Sequence, residues 1–243
     1  MQKPELVAHR GFSHEYPENS NSAFQAAIDC GCRFLELDVQ ISKDKQAIVI
    51  HDTNTKRTGN RDLDILENVW EDLANATIGE PDRFGDKFDN EKLFLLDDFV
   101  KLLQDNPSVH AFVEIKEESI DKLSVNTVLE IISASLKPVK NQCSLISFDS
   151  AVLFEAKESL DYPIGYVVYR YDEIRHEIVH KLSPDILICN YEKIPDEDGS
   201  LWQGSWDWFL YEIIEPEVAK KWVKRGVKYI ETMRIGSMMK ALG

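Results

Sequence analysis

Nine short apolar runs punctuate the chain, and helical segments separate most of them. They are "ELVAH" (5–9), "RFLELDV" (33–39), "AIVIHD" (47–52), "HAFVEIK" (110–116), "SLISF" (144–148), "IGYVVY" (164–169), "DILICN" (185–190), "WFLYEII" (208–214) and "KYIET" (228–232). Most are continuous rather than alternating, as expected of strands covered on both faces. Strand–helix alternation implies a parallel sheet. Nine strands are one too many for an eight-stranded barrel. The stretch between Val39 and Ile48 resolves the excess. It is too short for a crossover helix, which takes about a dozen residues or more. "AIVIHD" must therefore fold back as a hairpin, with its turn at Ser42–Gln46. Eight strands remain for an α/β barrel filling 1–243 as a single domain, with the hairpin and a small insertion (roughly 40–92) after the second barrel strand.

Helices fit the gaps. In "SAFQAAIDCG", Ser22 and Gln25 form a capping pattern and Gly31 a stop. The others are expected at Leu96–Gln104, Lys122–Leu136, Ser150–Leu160, Tyr171–Leu182 and Pro216–Arg225, the last closed by Gly226.

In barrels of this kind the chemistry lies at the C-terminal strand ends, and polar residues collect there. Strand one ends at His9 and Arg10, strand two carries Glu36 and Asp38, the hairpin brings back His51 and Asp52, and the next barrel strand ends with Glu114 and Lys116. Residues i and i+2 of a strand share a face. Glu36 and Asp38 therefore point one way, and Leu35 and Leu37 the other, toward covering helices. Three converging carboxylates repel one another unless a cation sits among them, and a hard divalent ion with oxygen ligands, Mg²⁺ or Ca²⁺, is the simplest solution. His9 and His51 would then serve as general acid and base, and Arg10 and Lys116 would receive a phosphate. A bound metal ion would stabilise charge in an in-line displacement. The chain lacks a Walker-type glycine loop, so the reading is hydrolysis of a phosphate ester and not nucleotide triphosphate chemistry.

The net charge of −15 argues against nucleic acid and against docking on anionic membranes. No apolar run approaches the ~20 residues of a membrane span. The start lacks the apolar core of a signal peptide, and the four cysteines (Cys30, Cys32, Cys143, Cys189) do not make a disulfide framework. Reduced, mostly buried thiols and a cytoplasmic location are expected, with homodimerisation left open.

The blocks "AHRG", "PENS", "ELDVQISKD", "VIHDTNTKRTG" and "VEIK", in that order, resemble the glycerophosphodiester phosphodiesterase family, close to its bacterial cytosolic type. The similarity is dense from Leu6 to Gly59, resumes over Phe112–Lys116 and is loose afterwards. The resemblance implies a TIM (β/α)8 barrel that hydrolyses small glycerophosphodiesters, such as glycerophosphocholine or glycerophosphoethanolamine, to sn-glycerol 3-phosphate and an alcohol. It implies that Glu36, Asp38 and Glu114 hold the divalent cation, that His9 and His51 are the acid/base pair, and that Arg10 and Lys116 bind the phosphate. The family's "PENT" is "PENS" here, and its "RTT" is Arg57-Thr58-Gly59. On the last two strands, the polar residues the family carries are replaced by Tyr211 and Met233, which bears on recognition of the glycerol or the leaving alcohol.

A tryptophan-rich loop, 195–208, follows strand seven. Trp208 and Tyr211 are candidates for a substrate wall. The competing reading of the loop is a lid packed on the barrel, or an oligomer contact. The acidic stretch Glu80–Glu91 reads as a solvated face of the insertion. Alternatives on the same barrel are a lysophospholipase D or sphingomyelinase D type with an apolar groove, a glycosidase, and a non-catalytic binding protein. A glycosidase leaves the histidines, Arg10 and Lys116 without a role.

Overall fold

The computed structural model describes residues 3–59, 61–195 and 201–243. In chain order the elements are β1 (Glu5–Ala8), α1 (Asn21–Asp29), β2 (Phe34–Ile41), β3 (Ala47–Val49), α2 (Trp70–Leu73), α3 (Pro81–Phe84), α4 (Leu96–Asp105), β4 (His110–Ile115), α5 (Glu117–Leu123) and α6 (Val125–Leu136). Then come β5 (Cys143–Ser147), α7 (Ser150–Ser159), β6 (Ile164–Val168), α8 (Glu173–Leu182), β7 (Ile186–Asn190), β8 (Asp207–Tyr211), α9 (Pro216–Lys224), β9 (Tyr229–Thr232) and α10 (Ile235–Leu242). Eight strands, all except β3, pair in parallel, and β1 joins both β2 and β9 to close the barrel. β3 pairs antiparallel with β2, Val39 opposite Val49. The hairpin turns where expected: Ser42 N–H donates to Gln46 O and Lys45 takes a left-handed φ of 65°.

Alternation sorts the side chains into two layers. Leu35, Leu37, Val39, Leu145 and Leu210 face outward into the apolar shell between strands and helices. Inside the barrel, Phe112 packs against Phe209 and Tyr229 at centroid distances of 5.1 and 5.3 Å. This aromatic plug fills the lower interior, so the polar groups above it sit on a dry floor. The insertion carries a small apolar centre of its own, with Ile48, Ile65, Leu73, Ile78 and Leu93 buried together.

Three local expectations change. The cap of α1 is Ser20, not Ser22: its hydroxyl accepts from Ala23 N–H, while the Gln25 amide goes to Asp29. The helix expected over Lys122–Leu136 is two helices, broken at Ser124, whose φ of 127° lies outside helical space. Starting α5 directly after β4 brings Ser119 onto β2, where its hydroxyl accepts from Ile41 N–H and donates to Gln40. β2 outruns its barrel neighbours, and Ser119 supplies the partner its end would lack. α10, not anticipated, buries Ile235 and Met238. All four cysteines are free; burial pushes the Cys32, Cys143 and Cys189 thiols up to about 12, so they stay protonated and inert.

Candidate active site

The polar cluster forms at the C-terminal ends of the strands. His9 and Arg10 leave β1 on a tight turn in which Arg10 (φ 56°) and Gly11 (φ 80°) are left-handed. A Cβ on Gly11 would lie 2.7 Å from the backbone of Ala23, so α1 can approach only a glycine. Glu36 and Asp38 project inward from β2, and Glu114 and Lys116 from β4, with Asp38 directly opposite Glu114 in the ladder. Glu36, Glu114 and Lys116 share one cavity of about 210 Å³ with His9, Arg10, His51, Tyr211, Glu212 and Glu231, and buried Asp38 adjoins the two glutamates.

Ligand oxygens of Glu36, Asp38 and Glu114 lie within 4.8 Å of one another. Lys116 Nζ is 2.7 Å from Glu114 and 3.4 Å from Asp38. Arg10 Nε is 3.0 Å from Asp38 Oδ2, an ion pair without hydrogen-bond alignment. Asn19 locks Asp38 from the side: its amide donates to Oδ2 at 2.8 Å, and its carbonyl accepts from the Asp38 N–H. Burial pushes Asp38 up, but Arg10 and Lys116 outweigh it and hold the carboxyl well below the usual range. Glu36 goes the other way. Burial raises it first, then the negative charges of Asp38, Glu231 and Glu114, leaving it well above an ordinary glutamate. Glu114 and Glu231 are also raised, chiefly by burial. Five carboxylates (Glu36, Asp38, Glu114, Glu212, Glu231) gather around two cations (Arg10, Lys116), so negative groups are in formal excess. The donor set is all oxygen and the carboxylates outnumber the cations, so these residues fit Mg²⁺ or Ca²⁺.

Glu231 is absent from the sequence-based site. It is buried on β9, and its Oε2 lies 3.9 Å from His9 Nε2. It forms a second potential ligand group with His9 and Glu36. At this end of the barrel, sequence reasoning named Met233 and passed over Glu231. Alternation places Glu231 inward with Tyr229, whereas Met233 lies beyond the strand and is exposed. The i, i+2 rule applied to "KYIET" would have found it.

His9 is buried. Desolvation first, then Arg10, lowers its imidazole to about 3, so the ring is neutral at ordinary pH. His51 comes from the hairpin arm. Its Nδ1 is 2.6 Å from Asp52 Oδ1, which leaves Nε2 as the nitrogen free for the cavity. Arg57 donates to both oxygens of Asp52 and to both oxygens of Glu18, and Glu18 accepts from Arg10. An alternating chain of charge thus joins the two histidine-bearing segments. Sequence reasoning gave Glu18, Asp52 and Arg57 no role. Their pairing is nonlocal, and only Asp52, adjacent to His51, carried a sequence signal. Glu80, expected on a solvated face, is 3% exposed. It accepts from the Glu18 N–H at 2.6 Å and from Arg83 at 2.5 Å, fastening the insertion to the "PENS" loop.

The proposed aromatic wall divides. Tyr211 faces the cavity. Trp208, one face away on β8, is 6% exposed in the outer shell, and its indole N–H donates to Trp202 O. Trp202 stacks on Tyr171 at 4.1 Å. The described part of the loop therefore packs on the barrel, as its lid reading anticipated; residues 196–200 lie outside the described set.

Fold and site together define a (β/α)8 barrel with an acidic, oxygen-rich centre flanked by two histidines. A family model for the glycerophosphoryl diester phosphodiesterase family matches residues 9–190, and the chain belongs to that family. A glycerophosphodiester phosphodiesterase of Caldanaerobacter subterraneus is 36% identical over 100 residues, 41% of this chain and 40% of that protein. A lysophospholipase D of Rattus norvegicus is 48% identical over 52 residues, 21% of this chain and 17% of that protein. Matches to the first of the curated relatives thus span less than half their length. Among solved structures, an Oleispira antarctica phosphodiesterase in complex with sn-glycerol-3-phosphate superposes with a TM-score of 0.84 at 20% identity, covering 98% of this chain and 96% of that one. At that identity the likeness supports the barrel.

Proposed function

We propose that the protein is a divalent-cation-dependent glycerophosphodiester phosphodiesterase. It would act on small diesters such as glycerophosphocholine and glycerophosphoethanolamine in the cytoplasm, releasing sn-glycerol 3-phosphate and an alcohol. The observation that carries the reading is one cavity holding Glu36, Glu114, His9 and His51, with Asp38 beside the two glutamates, in a chain of this family. Among the described residues no helix is long and apolar enough to cross a membrane.

Glu36, Asp38 and Glu114 would hold the ion, with Glu231 beside them. When bound, a divalent cation would supply positive charge to a phosphoryl oxygen and would offset the repulsion among these carboxylates. Arg10 and Lys116, already fixed by carboxylates, present their remaining N–H groups to the other phosphate oxygens. His9 and His51 reach the phosphorus from different strands. One accepts the proton of the attacking hydroxyl, and the other returns a proton to the departing alkoxide. Asp52 is a positioning residue: it holds one ring nitrogen of His51 so that the other meets the substrate. The aromatic plug beneath excludes water from the floor and strengthens each of these interactions.

The test is release of glycerol 3-phosphate by purified protein with Mg²⁺ or Ca²⁺, its loss in EDTA, and its loss in His9→Ala and His51→Ala. Full turnover by His51→Ala would overturn the mechanism. Comparison with lysophosphatidylcholine tests the lysophospholipase D alternative, in which the acylated substrate would be the better one.

A further inference from the structure

A phosphodiester has two arms, and two hollows meet at His9 and Arg10. One is the cavity already described, whose far wall is Ile146, Phe148, Val167 and Ile188. The other is a more open groove of about 500 Å³ on the insertion side, lined by Ser13, His14, Glu18, Arg83, Phe84 and Met233 besides the two shared residues. We propose that this groove is the subsite for the leaving alcohol, and that it takes an uncharged alcohol in preference to one bearing a quaternary ammonium. The proposal rests on the phosphodiesterase reading above.

In-line displacement sets the attacking and leaving oxygens on opposite sides of phosphorus. Phosphorus held at His9 and Arg10 therefore needs a space on each side, and the two hollows provide them. The enclosed cavity suits the arm retained in the product. The open groove suits the alcohol that departs into solvent and varies in size.

The wall chemistry sets the preference. An ammonium is bound by aromatic faces and by carboxylates. Phe84 is the aromatic residue of the groove, and the Arg83 guanidinium already lies over its ring at 4.6 Å. Glu18 is the carboxylate of the groove, and it accepts from both Arg10 and Arg57. A second cation would meet Arg10 and Arg83 and would have to compete with them and with Arg57 for the Phe84 ring and the Glu18 carboxylate. Met233, 37% exposed, adds a polarizable apolar surface suited to an uncharged carbon chain. The groove is also tied across: Arg83 donates to the carbonyls of Ser13 and His14, and the His14 N–H donates to Met233 O. It is a formed site.

The experiment measures kcat/KM for glycerophosphoglycerol and glycerophosphocholine, which share the glycerol phosphate half, in wild type, Met233→Glu and Met233→Gln. Wild type should favour the uncharged leaving group about tenfold, the factor that roughly 1.4 kcal/mol provides. Met233→Glu, which adds a carboxylate to the groove, should move the ratio toward choline by a similar factor. Met233→Gln, of like size without charge, should leave the ratio near wild type. Equal or better wild-type turnover of glycerophosphocholine overturns the proposal, as does a ratio unmoved by Met233→Glu. Should Met233→Glu fail to fold, the wild-type ratio decides. Absence of turnover on both diesters with metal present overturns the phosphodiesterase reading itself, and this proposal with it.

Discussion

Replacing Asp52 with Asn removes one charge and almost no volume, and it isolates the orientation of His51. Asp52 Oδ1 accepts from the His51 ring at 2.6 Å, and both carboxylate oxygens accept from Arg57. An amide cannot serve both neighbours, because its NH₂ group must face either a guanidinium or the imidazole. Facing the imidazole, it turns Nδ1 into an acceptor and puts the proton on Nε2, the nitrogen the substrate meets. A positioned acid/base group contributes about 10²–10⁴ in rate. We therefore expect kcat to fall by about 10²–10³, or roughly 2.7–4 kcal/mol of barrier. Asp52 touches no substrate group, so KM should change little. Stability should fall by no more than about 1 kcal/mol, since the Asp52–Arg57 pair is partly solvated. Steady-state kinetics with thermal melts separate the two effects, and ¹⁵N chemical shifts of the His51 ring report the tautomer directly. A variant within about fivefold of wild-type kcat, or a loss carried mainly by KM, would refute the assignment of Asp52 as the residue that orients His51.

Glu36→Gln should weaken Mg²⁺ or Ca²⁺ binding by at least about tenfold in calorimetric titration, yet raise the melting temperature in EDTA, because it removes a buried charge from a like-charged cluster. A lower melting temperature in EDTA would count against the charge surplus. Trp208→Ala should cost about 3–5 kcal/mol in denaturant unfolding, as a large core deletion does; a raised KM with stability intact would return Trp208 to the substrate wall. His110, distant from the site, has its imidazole lowered by burial to about 4. The unfolded chain, titrating near 6.5, then binds the proton more readily, so stability should fall as pH drops from about 6.5 toward 4. Denaturant melts at both ends of that window should show a smaller fall for His110→Gln than for wild type, and identical falls would sink the argument.

The barrel and the grouping of Glu36, Asp38 and Glu114 were legible because both depend on short-range rules. Continuous apolar runs mark doubly covered strands, and the brief gap between Val39 and Ile48 admits only a hairpin. Alternation alone puts Glu36 with Asp38, and Glu114 with Lys116. Less legible was everything set by contacts across long sequence separations. Glu80 is an acid in an acidic stretch, and nothing near it predicts burial against Glu18, 62 residues away. Glu18 and Arg57 pair across 39 residues. Ser20 displaces Ser22 as a cap because the loop from Arg10 to Asn19, closed by Asn19 N–H to Arg10 O, sets where α1 can begin. Trp208 shows the opposite error: its type suggested binding, whereas strand parity put it outside.

The way the insertion is fastened limits how such a barrel can diversify. Loops at the strand ends are where these folds exchange parts to gain new substrates. Here the arm and insertion after β2 supply His51, Asp52, Arg57 and Glu80, and the last two grip Glu18 on the first loop. Transplanting this segment from a relative would carry half of an electrostatic circuit into a host holding the other half, and would succeed only if both were moved. The connection after β6 is tied by other contacts instead: Tyr169 bonds Glu117 and stacks on Phe148, and Tyr171 accepts from the Trp202 N–H. In recombination and directed evolution, the segment after β2 should travel with its first loop or not at all.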